Sequence, residues 1–174
     1  VRRTCHNPAS ERWVYTGDEI KLLIDASTES GLIDPEQNEF VDNIFDLGDK
    51  DAEAIMTPRT DLVCIDLEDS LEENMALVTR YKYTRYPVCR ETKDRIVGFV
   101  HVKDLYLMQK GSTIDDLPVR TIEAVPESIP VAKLLQVLQE GSTKIAVVVD
   151  EHGGTPGIVT MTDIMEQIVG HVDD

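Results

Sequence analysis

Two stretches of the sequence decide the fold, Gly98-Phe99-Val100-His101-Val102-Lys103-Asp104 and Gly157-Ile158-Val159-Thr160-Met161-Thr162-Asp163. In each of them a glycine opens a short apolar run that is typical of a buried strand, and a helix is expected to begin within two residues of its end. The aspartates that close the two stretches lie 59 positions apart (163 − 104). The same strand–helix junction therefore occurs twice.

The repeat extends towards the N-terminus of both stretches. Thr84–Val88 matches Thr143–Val147 at the same spacing, which makes Lys144 the counterpart of Arg85. Ser70-Leu71 matches Ser128-Ile129 at 58 positions (128 − 70), so one residue is expected to be inserted in the second copy's helix or the following loop. A repeat of this length, present twice, indicates a duplicated domain rather than a solenoid.

Each copy has the pattern β-α-β-β-α, which predicts a mixed α/β fold (α+β or α/β) with apolar strands covered on both faces. In the first copy a helix with a capping box at Ser70-x-x-Glu73 follows the first strand. In the second copy Gly141 is placed to end the equivalent helix. The predicted segments are a strand near Leu62–Ile65, strands Tyr86–Cys89 and Ile96–Val100, and a helix from Lys103, then a strand near Val119–Glu123, strands Ile145–Val149 and Gly157–Thr160, and a helix from Thr162.

Two short acidic helices are expected ahead of the repeats. The first follows Asp18, and Asp34-Pro35-Glu36-Gln37 predicts the start of the second. We expect a linker at 1–16, a helical pair at 17–50, a first repeat domain at 51–111 and a second at 112–174.

The composition argues against nucleic-acid partners. The net charge is −16, whereas phosphate backbones are bound by clustered Lys and Arg. A free triphosphate would be repelled as well, so a nucleotide ligand is expected to arrive with a divalent cation. No apolar run approaches the ~20 residues that cross a bilayer, and Cys64 and Cys89 fit small core residues in a reducing compartment.

The second junction carries the most informative chemistry. A helix N-terminus presents free N–H groups that suit a phosphate, and the Thr160 hydroxyl adds a donor there. The Asp163 carboxylate has acceptor capacity for two ribose hydroxyls. The alternative is that Thr160 or Thr162 only caps the helix while Asp163 complements its dipole.

The two copies resemble CBS domains, whose nucleotide motif is Gly-hydrophobic-x-Thr/Ser-x-x-Asp/Asn. More closely, the chain resembles the CBS pair of the CorC/HlyC (hemolysin-like) family, whose animal relatives are the cyclin M proteins. The segments that carry this resemblance are Ile55–Arg59, Lys82–Val88, Val97–Asp104, Gly157–Gly170 and the acidic helices at 17–48.

The resemblance implies a regulatory module that binds ATP, or AMP or ADP, with Mg²⁺ held through the nucleotide phosphates at a single site. The residues that it implies for this site are Thr57, Tyr83, Arg85, Thr160 and Asp163. Ordinary packing for Tyr83 and a surface ion pair for Arg85 are the alternatives. The first copy departs from the motif, since His101 stands where Thr or Ser is expected, and we interpret His101 as a strand-end residue rather than a ligand.

The resemblance further implies a preceding transmembrane domain, a link to magnesium and cobalt efflux, a place on the cytoplasmic face of the membrane, and a homodimer. The apolar faces around Leu71–Val78 and Val131–Leu138 are candidates for the dimer surface. No nucleophile or catalytic carboxylate pair is marked, so we expect no enzyme. The rival hypothesis is a structural dimerisation module that holds no nucleotide.

Overall fold

The computed structural model describes residues 15–141 and 143–170. Almost all of the predicted linker at 1–16 therefore lies outside the described residues. The chain divides after Phe45 into two compact units.

The first unit contains the two acidic helices, α1 (Gly17–Glu29) and α2 (Pro35–Leu47, which continues into the second unit). Lys21 is the only basic residue between positions 17 and 47. Its Nζ lies 2.8 Å from Asp25 Oδ1 and 2.8 Å from Asn38 Oδ1, and it also pairs with Asp42. One ammonium group thus links the two helices and offsets part of their acidic charge, a contact that the sequence analysis did not anticipate.

The second unit contains both repeats. A short helix, α3 (Ala52–Ile55), and a strand, β1 (Thr57–Pro58), lead into them. The first repeat consists of β2 (Ile65–Asp66), α4 (Leu71–Tyr81), β3 (Arg85–Arg90), β4 (Thr92–His101) and α5 (Val102–Tyr106). The second repeat consists of β5 (Glu123–Pro126), α6 (Val131–Glu140), β6 (Ile145–Val149), β7 (Gly157–Thr160) and α7 (Met161–Val169). The predicted β-α-β-β-α order is confirmed in both copies.

The helix ends follow the predicted signals. Ser70 and Glu73 form the capping box of α4, and α6 ends at Gly141. Within α4 the buried positions are Asn74 and Val78. The Asn74 amide was not recognised from the sequence; it donates to the Asp66 and Ser70 carbonyls and so ties the helix to β2.

The strand register corrects the alignment of the two repeats. Ile65 pairs with Val88 and Val88 with Gly98 in the first repeat, as Val125 pairs with Val148 and Val148 with Gly157 in the second. The offset is therefore 60 up to β6 and 59 from β7 onward, so the second repeat is one residue shorter at its hairpin. Matching residue identities gave 58 and 59 for the earlier segments because short apolar runs align almost as well one position out.

This register changes one assignment. Arg85 lies opposite His101, and Ile145 lies opposite Thr160. The counterpart of Arg85 is therefore Ile145, and Lys144 corresponds to Thr84. In agreement with this, Thr84 and Lys144 each offer a carbonyl to the first amide of the following helix.

Each repeat lends an edge segment to the sheet of the other. The two sheets have the orders β2-β3-β4 and β1-β7-β6-β5. Thr57 pairs with Ile158 although it precedes the first repeat, and Arg120 pairs with Phe99 although it precedes the second. The glycines of the two motifs allow this, because a Cβ at Gly157 would overlap the Thr57 carbonyl and a Cβ at Gly98 would overlap the Arg120 carbonyl.

The core fills both sides of the sheets. Val131, Leu134 and Leu138 of α6 and Val78 of α4 are almost fully buried within the chain. The deepest residues of the faces around Leu71–Val78 and Val131–Leu138 are therefore used in the core, whereas Leu71, Met75 and Leu135 are only partly buried, and a dimer surface on these faces stays a prediction. Cys64 and Cys89 are buried in the cluster between the sheets, as predicted.

Candidate functional site

The junction between β7 and α7 is a capped helix start. Thr160 is the N-cap of α7, and its Oγ1 accepts a hydrogen bond of 3.1 Å from the Asp163 amide. The Thr160 amide in turn donates to Asp163 Oδ2 at 2.8 Å. The capping alternative considered for these two residues is thus realised in the structure.

Capping leaves both side chains able to bind a ligand. Thr160 uses a lone pair of its hydroxyl for the cap, so the hydroxyl proton is still available to donate. Asp163 uses Oδ2, and among the described residues no donor is found on Oδ1. Both side chains are half-buried, which leaves a way in for a ligand while shielding it from part of the water.

The surroundings of Asp163 favour a hydrogen-bond donor without a second negative charge. Burial is the largest cause that raises the pKa of Asp163, and the nearby Glu166 carboxylate raises it further, against the lowering effect of the hydrogen bonds from Thr160. A neutral ribose hydroxyl that donates a hydrogen bond to this carboxylate would stabilise its charged form, whereas a phosphate next to the carboxylate would be repelled by it.

Thr57 lies on the strand next to this junction. In β1 it pairs with Ile158, two positions before Thr160 on β7. The structure therefore brings Thr57, Thr160 and Asp163 together at the edge and end of one sheet. Gly157 makes this possible, since only a residue without a Cβ lets the Thr57 carbonyl lie so close.

Arg85 belongs to the other sheet, and Tyr83 lies in the connection between α4 and β3. Arg85 begins β3 opposite His101, and its charge is one of the causes that lower the pKa of His101, after burial. Tyr83 is 51% exposed, and its ring is stacked on that of Tyr81 at 5.8 Å between centroids. The contacts in this structure place Arg85 beside the first junction and Tyr83 against Tyr81 and Tyr86, rather than beside Thr160.

Tyr86 fixes the backbone ahead of β3, a contact that the sequence did not reveal. Its ring is fully buried, and its hydroxyl accepts from the Tyr83 amide at 2.8 Å and donates to the Val78 carbonyl at 3.3 Å. Burial raises the pKa of Tyr86, so this hydroxyl keeps its proton. The only signal was a tyrosine at an aliphatic strand position.

The first junction is built differently from the second. His101 is half-buried at the end of β4, as expected of a strand-end residue, and its Nδ1 accepts from the Lys103 amide at 3.1 Å. Asp104 makes a two-point ion pair with Arg120, Nε to Oδ2 at 2.7 Å and Nη2 to Oδ1 at 3.0 Å. This ion pair holds the pKa of Asp104 below its ordinary value.

A cavity of about 470 Å³ lies away from all five predicted residues. The start of β4, the segment 119–124 and β6 enclose it, with Ile96, Ile122 and Val147 among the apolar lining. Its position between the two sheets shows that they do not pack completely at the hairpin end.

Comparisons with known proteins agree with this architecture. A family model of the CBS domain matches residues 52–109 and 114–170. The UPF0053 protein YugS of Bacillus subtilis (strain 168) is 37% identical over 172 residues, which cover 97% of this chain and 40% of that protein. A solved CBS domain of the bacterial CNNM/CorC family Mg²⁺ transporter matches at TM-score 0.81 and 37% identity, covering 92% of this chain and 100% of that one. The chain is a CBS-domain pair of the CNNM/CorC family.

The same family includes a CBS domain solved in complex with ATP, which is 38% identical to this chain, has a TM-score of 0.72 and covers 79% of this chain and 100% of that one. The resemblance inferred from the sequence is therefore confirmed at the level of family and fold. CBS pairs of this family are regulatory domains of transporter-like proteins. The present CBS pair spans 40% of the length of YugS. Within residues 15–141 and 143–170, none of the helices combines the length and the apolar composition that a bilayer crossing requires.

Proposed function

We propose that this CBS pair is a regulatory module that binds one adenine nucleotide, ATP with Mg²⁺, at the junction of β7 and α7. The observation that carries the proposal is the grouping of Thr57, Thr160 and Asp163, in which a hydroxyl proton and a carboxylate oxygen remain available after the helix is capped. The ATP complex of a CBS domain 38% identical to this chain supports the choice of nucleotide.

Each residue has a separate part in the proposed site. Asp163 accepts hydrogen bonds from the ribose hydroxyls, because its available oxygen is half-shielded from water. Among the described residues, the groups that shift the pKa of Asp163 include no cation that would compete for this oxygen. Thr160 donates its hydroxyl to a phosphate at the N-terminal end of α7, where the helix dipole favours negative charge. Thr57 closes the edge of the sheet beside them.

Tyr83 and Arg85 complete the proposed site from the first repeat. Arg85 supplies a planar cationic fork that matches phosphate oxygens, and Tyr83 supplies an exposed ring on which a base can stack. In this structure Arg85 lies opposite His101, so its engagement with a phosphate requires its side chain to move towards the second junction when the ligand binds. This step is testable, since Arg85→Ala should then weaken ATP more than adenosine.

Magnesium enters this proposal through the nucleotide. The chain carries a net charge of −16, and the carboxylate closest to the proposed phosphate position would repel a free triphosphate. A divalent ion that bridges phosphate oxygens lowers this repulsion. The residues named here fit a ribose and a metal-neutralised phosphate better than a bare one.

In the full-length protein we infer that the module lies on the cytoplasmic face and controls a membrane domain linked to magnesium or cobalt efflux, without catalysing a reaction itself. Control requires that ATP binds one relative arrangement of the attached domains more tightly than another. The rival function is a structural dimerisation module. The capping box favours it to the extent that Thr160 and Asp163 already have a structural task.

A thermal-unfolding measurement with and without ATP and Mg²⁺ separates the two functions. ATP at 100 times its dissociation constant should stabilise the folded CBS pair by roughly 2.7 kcal/mol. Asp163→Asn, which keeps an oxygen for the Thr160 amide, should remove most of this stabilisation. Unchanged unfolding temperatures for the wild-type protein at millimolar ATP would support the structural function and overturn the proposed one.

A further inference from the structure

The strand register gives each proposed nucleotide residue a counterpart in the first repeat. Thr160 corresponds to His101 and Asp163 to Asp104, both at an offset of 59. Thr57 pairs with Ile158, and the residue that pairs with the equivalent Phe99 is Arg120. The triad of Thr57, Thr160 and Asp163 is thus replaced by Arg120, His101 and Asp104.

The backbone supports this correspondence independently of the pairing. The carbonyl oxygen of Thr57 is the atom that a Cβ at Gly157 would meet first, and the carbonyl oxygen of Arg120 is the one that a Cβ at Gly98 would meet first. The two segments therefore lie against the two motif glycines in the same way. What differs between the two junctions is the set of side chains.

In the first repeat two of these side chains, Arg120 and Asp104, form hydrogen bonds with each other. Arg120 donates to both oxygens of Asp104, at 2.7 and 3.0 Å, so that the guanidinium already lies on the edge of the carboxylate that would face two neighbouring sugar hydroxyls. A guanidinium with two parallel N–H···O bonds matches a carboxylate closely, as two neighbouring ribose hydroxyls would.

The backbone amide at this junction is also engaged. His101 Nδ1 accepts from the amide of Lys103, the second residue of α5. In the second repeat the cap is instead made to the third residue, Asp163. The amide of Thr162, the counterpart of Lys103, therefore has no side-chain acceptor among the described residues, and it faces the end of the helix where a phosphate is proposed.

We propose that Arg120 acts as a built-in occupant of the first junction (β4 to α5, the first cleft), taking the place of a ribose on Asp104, so that the CBS pair accepts a nucleotide at the second junction (β7 to α7, the second cleft) alone. This inference rests on the proposed function, because it assumes that the second cleft binds ATP. Under this inference Arg120 determines whether the chain binds one nucleotide or two. The Asp104–Arg120 pair also links α5 to the segment that enters the second repeat.

The test is the stoichiometry of ATP with excess Mg²⁺, measured by calorimetry on the purified chain. The wild-type protein should bind one ATP, and the double variant Arg120→Thr/His101→Thr, which restores the side chains of the second cleft, should bind two. Arg90→Thr is the matched control, since it also removes an exposed arginine from an ion pair, with Glu68, and it should still bind one. Two ATP molecules bound to the wild-type protein, or one bound to a folded double variant, would overturn the inference.

A second pair of variants covers the case in which the double variant does not fold. Asp104→Asn should leave the stoichiometry at one and the dissociation constant within about twofold, whereas Asp163→Asn should raise the dissociation constant by tenfold or more. A tenfold or greater loss of affinity in Asp104→Asn would show that the first cleft holds the nucleotide and would overturn the inference. Failure of the proposed function has a different signature, because the wild-type protein would then bind no ATP at all.

Discussion

At the scale of single residues, the side chains that cap α7 are the ones available to a ligand. Thr160 accepts from one amide with its hydroxyl oxygen and keeps its proton, and Asp163 uses one oxygen of two. The structural and the functional interpretation of a Thr-x-x-Asp sequence are therefore compatible. A variant must separate loss of the cap from loss of the ligand contact.

Asp163→Ala is expected to weaken ATP binding by about 1.5–3 kcal/mol, the range for hydrogen bonds to a charged group. It should also lower the free energy of unfolding by about 0.5–2 kcal/mol through the lost cap. Glu73→Ala removes the same position of the capping box in α4, away from the site, and should cost comparable stability with unchanged affinity. Equal affinities for the two variants by calorimetry would exclude Asp163 from the site.

The two equivalent aspartates should titrate on opposite sides of the ordinary carboxyl value. Burial raises the pKa of Asp163, and the hydrogen bonds from Arg120 lower that of Asp104. Because the folded state holds the Asp163 proton more tightly than the unfolded chain, the stability contribution of Asp163 falls as pH rises through the window just above 3.8.

Asp104 contributes stability above its unfolded pKa, and this contribution is lost as pH falls through its lower folded pKa. Carboxyl ¹³C titration by NMR would measure both groups directly. Equal pKa values for the two carboxyl groups, or a lower pKa for Asp163 than for Asp104, would contradict the environments described here.

The sequence was sufficient to place Thr160 and Asp163 at the junction of β7 and α7, because a strand that runs directly into a helix fixes the positions of both. It was insufficient for Arg120. The partner of Arg120, Asp104, is 16 residues away, and the contact exists only because the segment before the second repeat pairs with β4. No local sequence pattern predicts the backbone pairing between Arg120 and Phe99.

At the scale of secondary-structure elements, the exchanged edge strands explain the glycines of the motif. β1 lies on β7 with its backbone against Gly157, and Arg120 lies on β4 against Gly98. The sequence placed Gly98 inside a strand and Gly157 at the start of one, but it did not indicate β1, which is only two residues long. Two residues are too few to show the alternation by which strands are recognised.

Gly157→Ala should push β1 off β7, since the new methyl group would overlap the Thr57 carbonyl and the Met56 sulfur. We expect a loss of about 1–3 kcal/mol in the free energy of unfolding, as for overpacked sites, and weakened ATP binding because Thr57 moves. Gly98→Ala introduces the same overlap against Arg120 and should cost similar stability while ATP still binds. Denaturant unfolding and calorimetry on both variants measure the two effects, and equal losses of affinity would contradict the assignment of Thr57.

At the scale of the whole molecule, the deepest residues of the helix faces that the sequence offered for dimerisation are used inside the chain. More exposed apolar side chains are found on other helices, namely Met165 and Val169 on α7, and Tyr106 and Leu107 at the end of α5. These two helices close the two repeats in equivalent positions. Periodicity identified the apolar faces of α4 and α6 correctly, but it does not tell a face that meets the sheet from one that meets a partner.

We expect the CBS pair to self-associate through the surface formed by α5 and α7. Met165→Asp should raise the dimer dissociation constant by tenfold or more, because it places a charge where an apolar side chain would be covered. Leu32→Asp alters a more exposed apolar residue in the acidic helical pair and should leave association unchanged. Sedimentation velocity over the micromolar range measures both, and a wild-type protein that stays monomeric with and without ATP would contradict the expectation.

ATP affinity should depend strongly on Mg²⁺, and AMP affinity should not. The chain carries a net charge of −16, ATP adds about four negative charges near the acidic Asp163 and Glu166, and Arg85 is the cation proposed to reach the phosphates. One guanidinium and one helix N-terminus balance only part of that charge, whereas a divalent ion on the phosphates removes two units of it at close range.

In chelator the dissociation constant for ATP should therefore rise by about tenfold or more, a difference of about 1.4 kcal/mol. Ionic strength must be held fixed so that screening is equal in both arms. Equal ATP affinity with and without Mg²⁺ would mean that further positive charge reaches the phosphates. Lys144, whose carbonyl accepts from the first amide of α7, would then be the first residue to examine.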